Sequence, residues 1–368
     1  MWSRFKTLDP WLFTLPLLLM AISVLMIYFL NPDSTIYIRQ LIYCGLGVIA
    51  LGVAAFIDYR GLQAWSPWIY AGGLLGLLAV RFFGTTQFGA KLWINFGFFQ
   101  FEPSELFKLI VLIMVAALLS SSREAGRLSR FLLAAAAGLL PIVAIILQPN
   151  LGTALVLLAE VVAVLLYANI LPWQRILVIS TLVLGVIAIG LCFHGVKPFT
   201  HILKPFQKAR LTSFIDPKAD PLKSGYNVEQ SVIAVGSGGL TGTGLGNGSQ
   251  SQLNFLPVAQ ADFIFAVIAE NWGLVGSLGI LGIYLFLILR VIQAGRIAKD
   301  QFGALICIAI ATKLIFEVSV NIGMNIRLMP VTGIPLPFLS YGGTTLITNA
   351  LAIGIVQSVA LRYKRLTF

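Results

Sequence analysis

The sequence predicts an all-α, polytopic membrane protein of about ten transmembrane helices. Three observations predict it. Hydrophobic residues make up 58% of the 368 residues and charged residues only 11%, against roughly 25% charge in a soluble domain. The apolar residues gather into runs near the roughly 20 residues that a helix needs to cross a bilayer. Lysine and arginine gather between alternate runs.

The runs follow in order. Trp11–Leu30 lacks a small-residue cleavage site and is expected as a retained span, not a removed signal peptide. Ile36–Phe56 and Leu62–Val80 come next, with Asp58 and Arg60 in the link between them. Pro103–Leu119 opens with proline in its first turn and Ser104 and Glu105 behind it, a helix start. Phe131–Leu147 and Leu151–Ile170 flank Gln148-Pro149-Asn150, and Ile176–Phe193 is the seventh run. Phe263–Leu289, Phe302–Ile322 and Thr344–Leu361 complete the set. Residues 1–368 are expected to form a single transmembrane domain with one large loop, 194–261, between helices 7 and 8.

Charge sets the expected orientation. Arg4, Lys6, Arg60, Arg123, Arg127, Arg130, Arg175, Arg290, Arg296, Lys299, Arg362, Lys364 and Arg365 fall at one face. The short loops opposite hold chiefly Arg81, Lys91 and Arg327. The positive-inside rule makes both termini cytoplasmic and the long loop extracytoplasmic. The net charge of +11 restates this bias, so no nucleic-acid partner is expected. Cys44, Cys192 and Cys307 are far apart inside runs and read as small buried hydrophobes. His194 and His201 stand without a ligand cluster and read as solvated surface.

Few ionisable residues lie in or beside the runs, which makes each informative. Asp262 ends the glycine-rich stretch GSGGLTGTGLGNGSQSQLNFLPVAQAD just where a helix begins, and is the leading catalytic candidate. Glu105 and Lys108 share a helix face, either as a structural ion pair or as a charged cavity wall. Lys313 and Glu317 also share a face and read as structural. Glu160 and Glu270 are lone acids; Glu270 lies two turns below Asp262, where it could support it. In QKARLTSFIDPKADPLKSGYN, Arg210 and its basic neighbours form either a solvated surface or a cationic rim for a phosphate. The glycines of 236–248 could offer backbone N–H groups to phosphate. The proline-rich segment Gly333–Thr344 is expected to line the cavity beside Asp262, because irregular backbone at membrane depth is tolerated only against protein or water.

Together, GAKLWINFGFFQFEPSELFK (89–108), QPNLGTA (148–154), DPKADPLKSGY (216–226), the glycine-rich run through DFIFAVIAE (236–270), NIGM (321–324) and GIPLPFLSYGGT (333–344) resemble the SEDS family of bacterial membrane proteins, and its RodA branch more than its FtsW branch. The resemblance implies a peptidoglycan glycosyltransferase that polymerises lipid II during cell-wall elongation. It implies a class B penicillin-binding protein as partner and a site on the outer side of the bacterial inner membrane. It maps the essential family acid onto Asp262 and substrate-binding positions onto Glu105, Lys108, Arg210, Lys91, Trp93, Ser340 and Gly342. A divalent cation, Mg²⁺ or Mn²⁺, is left open, and no organic cofactor is expected. The chain departs from the family at three places: Leu92 stands for the usual arginine, with Lys91 one residue earlier; Glu102 for the usual glutamine before Pro-Ser-Glu; and Asn150 for the usual aspartate, so no acid or metal role falls there. A transporter for the same lipid-linked precursor and a recruiting scaffold are the competing classes.

Overall fold

The computed structural model describes residues 8–32, 34–87, 90–97, 99–120, 128–148, 150–193, 214, 224–253, 255–256 and 258–362. Each expected apolar run coincides with a helix: α1 (Trp11–Leu30), α2 (Ile36–Phe56), α3 (Tyr59–Phe83), α4 (Pro103–Leu119), α5 (Leu128–Leu147), α6 (Leu151–Tyr167), α7 (Pro172–Phe193), α10 (Ile264–Arg296), α11 (Gln301–Asn325) and α12 (Gly343–Leu361). Among the described residues of the long loop lie two further helices, α8 (Ser224–Ser237) and α9 (Ser249–Gln252). Among the described residues seven helices (α1, α2, α3, α5, α10, α11 and α12) are long and apolar enough to cross a membrane, and α6 and most of α7 are shorter apolar helices.

Burial ranks the helices. The apolar windows of α11 and α12 are 67% and 78% buried, that of α3 only 17%, so α11 and α12 form the middle of the bundle and α3 faces its surroundings. Close approach to α12 depends on glycine: a Cβ at Gly354 would lie 2.5 Å from the Leu51 carbonyl oxygen of α2. Cys44 and Cys307 are buried free thiols. At one end of the bundle Arg60 pairs with Asp300 at 3.1 Å, Arg362 with Asp58 at 3.3 Å, and Arg290 with Asp9.

At the other end the segment after α3 is not an irregular loop. It forms an antiparallel ribbon, β1 (Thr85–Gln87), β2 (Ala90–Asn95) and β3 (Gln100–Phe101), in the order β1-β2-β3. The register sets Thr86 opposite Lys91 and Ile94 opposite Phe101. The ribbon is tied to the start of α12 by Thr344, whose hydroxyl donates to the Gln100 carbonyl at 3.0 Å and accepts from the Glu102 N–H at 3.1 Å.

The glycine-rich stretch is likewise ordered against α10. Gly273 leaves helical geometry (φ 66°, ψ −161°) and opens α10 to the incoming chain. Thr243 N–H donates to the Glu270 carbonyl (2.9 Å), Gly244 N–H to Asn271 (3.1 Å), Leu274 N–H to Gly239 (2.9 Å) and Val275 N–H to Leu240 (3.1 Å). A Cβ at Gly238 or Gly242 would lie 2.0 or 2.1 Å from a carbonyl oxygen of α10. These two glycines serve close backbone packing.

Candidate active site

Asp262 stands in the turn that starts α10, partly exposed. The first N–H groups of a helix lack intrahelical partners and carry partial positive charge. A carboxylate is favoured there. The turn is held from two sides. From α11, Asn321 and Asn325 donate their Nδ2 to the Asp262 carbonyl oxygen at 3.0 and 3.3 Å. Asn325 Oδ1 also accepts from the Ala266 N–H of α10 at 3.3 Å. From the proline-rich segment, Ser340 Oγ donates to the Ala261 carbonyl at 2.6 Å, and Tyr341 N–H donates to the Gln260 carbonyl at 2.8 Å. Gly333 has φ +72°, and a Cβ there would stand 3.6 Å from Asp262 Oδ2. Tyr284 of α10 donates its hydroxyl to the Pro337 carbonyl.

Below this turn lies a buried ionic network. Lys108 Nζ contacts Glu105 Oε1 at 2.9 Å and Glu317 Oε1 at 3.1 Å. Lys313 Nζ contacts Glu317 Oε2 at 3.1 Å and is bonded to Asn349 of α12. All four charged side chains are at most 3% exposed. The two pairs legible along single helices are thus one network joining α4, α11 and α12. Glu160 of α6 is fully buried in the field of both lysines, and neither of its oxygens has a hydrogen-bond partner among the described residues.

The network and the Asp262 turn meet through backbone. Thr153 Oγ1 reaches Glu105 Oε1 at 3.5 Å, and a Cβ on the adjacent Gly152 would come within 2.8 Å of the Thr332 carbonyl. Asn321 Nδ2 closes the path by donating to the Ile334 carbonyl at 2.8 Å. Lys313, Glu317, Asn321 and Asn325 recur every four residues, a spacing that keeps them along one side of α11. This stripe runs from the network to the turn.

Two departures from the family pattern face each other. Asn150 Nδ2 donates to Glu102 Oε1 at 2.8 Å, and Ser104 Oγ donates to the same oxygen at 2.8 Å. The contact still joins one acid to one amide, with the acid now on the α4 side. Withdrawal from water, reinforced by the Glu105 carboxylate, pushes Glu102 up to about 7.

The other sequence candidates are placed as follows. Lys91 and Trp93 lie two apart on β2, on one face of the ribbon, and Lys91 Nζ donates to the Arg81 carbonyl at 2.7 Å. Ser340 is buried, with Leu336 N–H donating to its Oγ at 2.7 Å, so its hydroxyl clamps backbone to backbone. Gly342 precedes α12; at its neighbour Gly343 a Cβ would lie 2.6 Å from the Phe99 ring. Glu270 accepts from the Gln250 and Ser251 N–H groups at 2.7 and 3.0 Å and so anchors α9. Arg210, His194 and His201 lie outside the described residues. No group of three or more His, Cys, Asp or Glu able to hold a metal occurs among the described residues. Asn321 and Asn325 are site residues that the sequence reading does not single out. Their signal was the continuation of the Lys313–Glu317 spacing.

The family model described as "cell cycle protein", built on FtsW, RodA and SpoVE, matches residues 7–365. The chain belongs to the FtsW/RodA/SpoVE family. A relative of this family member is the peptidoglycan glycosyltransferase MrdB of Escherichia coli K12, 36% identical over 361 residues, covering 98% of this chain and 95% of the relative. Among solved structures it resembles a chain of a peptidoglycan synthase complex that coordinates polymerization and crosslinking (TM-score 0.81, 30% identity, covering 96% of this chain and 97% of that one). It also resembles the rod-shape-determining protein RodA of Thermus thermophilus (TM-score 0.72, 29% identity, covering 96% of both chains). The FtsW/RodA/SpoVE fold is thus a multi-pass helical membrane domain.

Proposed function

We propose that this protein is a peptidoglycan glycosyltransferase that polymerises lipid II for cell-wall elongation on the outer face of the bacterial inner membrane, with Asp262 as general base. The observation that carries the reading is the Asp262 turn: a partly exposed carboxylate at a helix N-terminus, its backbone fixed by Asn321 and Asn325 on one side and Ser340 on the other. A proton acceptor so positioned contributes about 10²–10⁴-fold to a rate.

In the proposed step the 4-hydroxyl of the incoming GlcNAc gives its proton to Asp262. Its oxygen bonds to the anomeric carbon of the donor, and the bond from that carbon to the polyprenyl pyrophosphate breaks, inverting α to β. The leaving pyrophosphate collects negative charge and needs cations. Arg210 and Lys91 are the proposed residues for it. The buried Lys108 holds the α4–α11 contact beneath. A divalent cation fits only if it draws most of its ligands from substrate phosphates and water, as Mg²⁺ commonly does; Asp262 would be its protein ligand, and it would neutralise the leaving group. A class B penicillin-binding protein is the proposed partner for crosslinking, a reading supported by the likeness to a peptidoglycan synthase complex.

The test uses purified protein in liposomes with labelled lipid II. Wild type is expected to yield glycan, and Asp262→Ala and Asp262→Asn to lose about 10²-fold or more of the rate. Full-length glycan from Asp262→Ala would remove Asp262 from the mechanism. Translocation of fluorescent lipid II without polymer would favour the transporter reading. Addition of EDTA reports on the cation.

A further inference from the structure

A cavity of about 880 Å³ lies between α3 and α5, and Asp262 is not among its lining residues. That is the scale of small-ligand sites, about 300–1,000 Å³. Its floor is buried (Leu77, Val80) and its lips are exposed (Leu140 56%, Val143 55%, Leu147 68%). The walls are aliphatic, and the polar side chains all stand at one end: Arg81, Lys91 and Gln148. Among the described residues neither Arg81 nor Lys91 is paired with a carboxylate. Lys91 is fixed by its bond to the Arg81 carbonyl and by its stem against Gly84.

Two hydrogen bonds join α3 to the α5 segment near the ends of the groove. Tyr70 donates to the Ala137 carbonyl at 2.8 Å, one turn before Leu74, where the lining of α3 begins. Gln148 donates to the Leu77 carbonyl at 3.0 Å near the outer end. From Ala137 to Gln148 the helix rises about 16 Å, half of a hydrocarbon core of about 30 Å. The groove therefore has the depth of one leaflet, with cations at its mouth. The mouth lies next to the Glu102–Asn150 contact in the chain: Gln148 is two residues from Asn150, which bonds Glu102, and Lys91 belongs to the ribbon tied to Thr344.

We infer that this groove seats the polyprenyl tail of the pyrophosphate-linked substrate, with Arg81 and Lys91 at its phosphates. The charge at the mouth matches an anionic lipid. The continuity with the Glu102–Asn150 contact favours the lipid whose headgroup reacts over a bulk phospholipid. This rests on the glycosyltransferase reading and adds to it a place for the tail.

The test is photo-crosslinking that does not depend on turnover. Full-length protein in neutral-lipid nanodiscs is irradiated with undecaprenyl phosphate bearing a diazirine on its tail. Labelled peptides are expected from α3 and α5, and unlabelled undecaprenyl phosphate should compete while phosphatidylglycerol at equal concentration should not. Leu140→Trp, which fills an exposed lip, is expected to cut this labelling and to raise KM for lipid II about tenfold, the loss of roughly two buried methylenes, with a smaller rise for a short-tailed analogue. Arg81→Glu is expected to cut labelling by the undecaprenyl phosphate probe. Equal competition by phosphatidylglycerol, labelling confined to other helices, or exclusion of the probe by a co-reconstituted class B penicillin-binding protein would each overturn the assignment. Failure of wild type to make glycan would instead strike the glycosyltransferase reading, and the labelling result would still decide the groove.

Discussion

Asn321 directs one amide group at two carbonyl oxygens, those of Asp262 and Ile334, at 3.0 and 2.8 Å. The position of the Asp262 carboxylate therefore depends on a side chain that touches only its backbone. Asn321→Leu leaves both acceptors without that donor, and an unsatisfied buried acceptor costs about 1–3 kcal/mol. The expected outcome in a lipid II assay is a fall in kcat of about 10–100-fold with a small change in KM, since misplacement rather than lost binding is the fault. A second residue gives a pH signature. Glu102 is raised from its ordinary 4.5 to about 7, so the folded protein binds a proton more tightly than the unfolded chain. The stability this contributes is fully present below about 4.5 and is lost as pH rises through 7. Compared with Glu102→Gln, the melting temperature of wild type should fall progressively across that interval and run parallel above it.

Among the elements, Glu317 joins two lysines that approach from different helices. Glu317→Ala strands both, and breaking a buried pair costs about 3–5 kcal/mol. Thermal unfolding in detergent should show a larger loss for Glu317→Ala than for Glu105→Ala, which removes one partner of one lysine. The ten apolar runs, seven of which are helices long and apolar enough to cross a membrane among the described residues, were legible as helices because a backbone in lipid must satisfy itself, which ties long apolar stretches to helical structure. The ribbon was not: β1 and β3 are three and two residues long, too short for an alternating pattern. The Glu105–Lys108 and Lys313–Glu317 pairs were legible as same-face spacings, while their union was not, since no local pattern encodes which helices meet. Asp262 was legible as a costly acid, but Gly238 and Gly242 suggested phosphate binding when they are in fact shaped by the backbone of α10.

For the molecule as a whole, orientation follows from where its exposed charges sit. The Arg60–Asp300, Arg362–Asp58 and Arg290–Asp9 pairs share one end; an exposed pair such as Arg60–Asp300 contributes at most about 1 kcal/mol, so its value is to mark a face. The ribbon and the Asp262 turn share the other. A single cysteine at Phe96, 60% exposed beyond the ribbon, should react with a membrane-impermeant maleimide in intact spheroplasts. One at Arg60 should react only after lysis. The reverse pattern would invert the topology.

The four-residue stripe of α11 also fixes depth. From Lys313 to Asn325 it covers about 18 Å, and advancing a helix by one residue turns it through about 100°. Any slide of α11 along its axis would carry Lys313 and Glu317 out of their pairs. In a thicker or thinner bilayer the hydrophobic mismatch therefore falls on outlying helices such as α3, which can tilt. The centre stays unaltered: the height of the Asp262 carboxylate above the bilayer midplane is written into α11 itself, a ruler that the surrounding lipid does not reset.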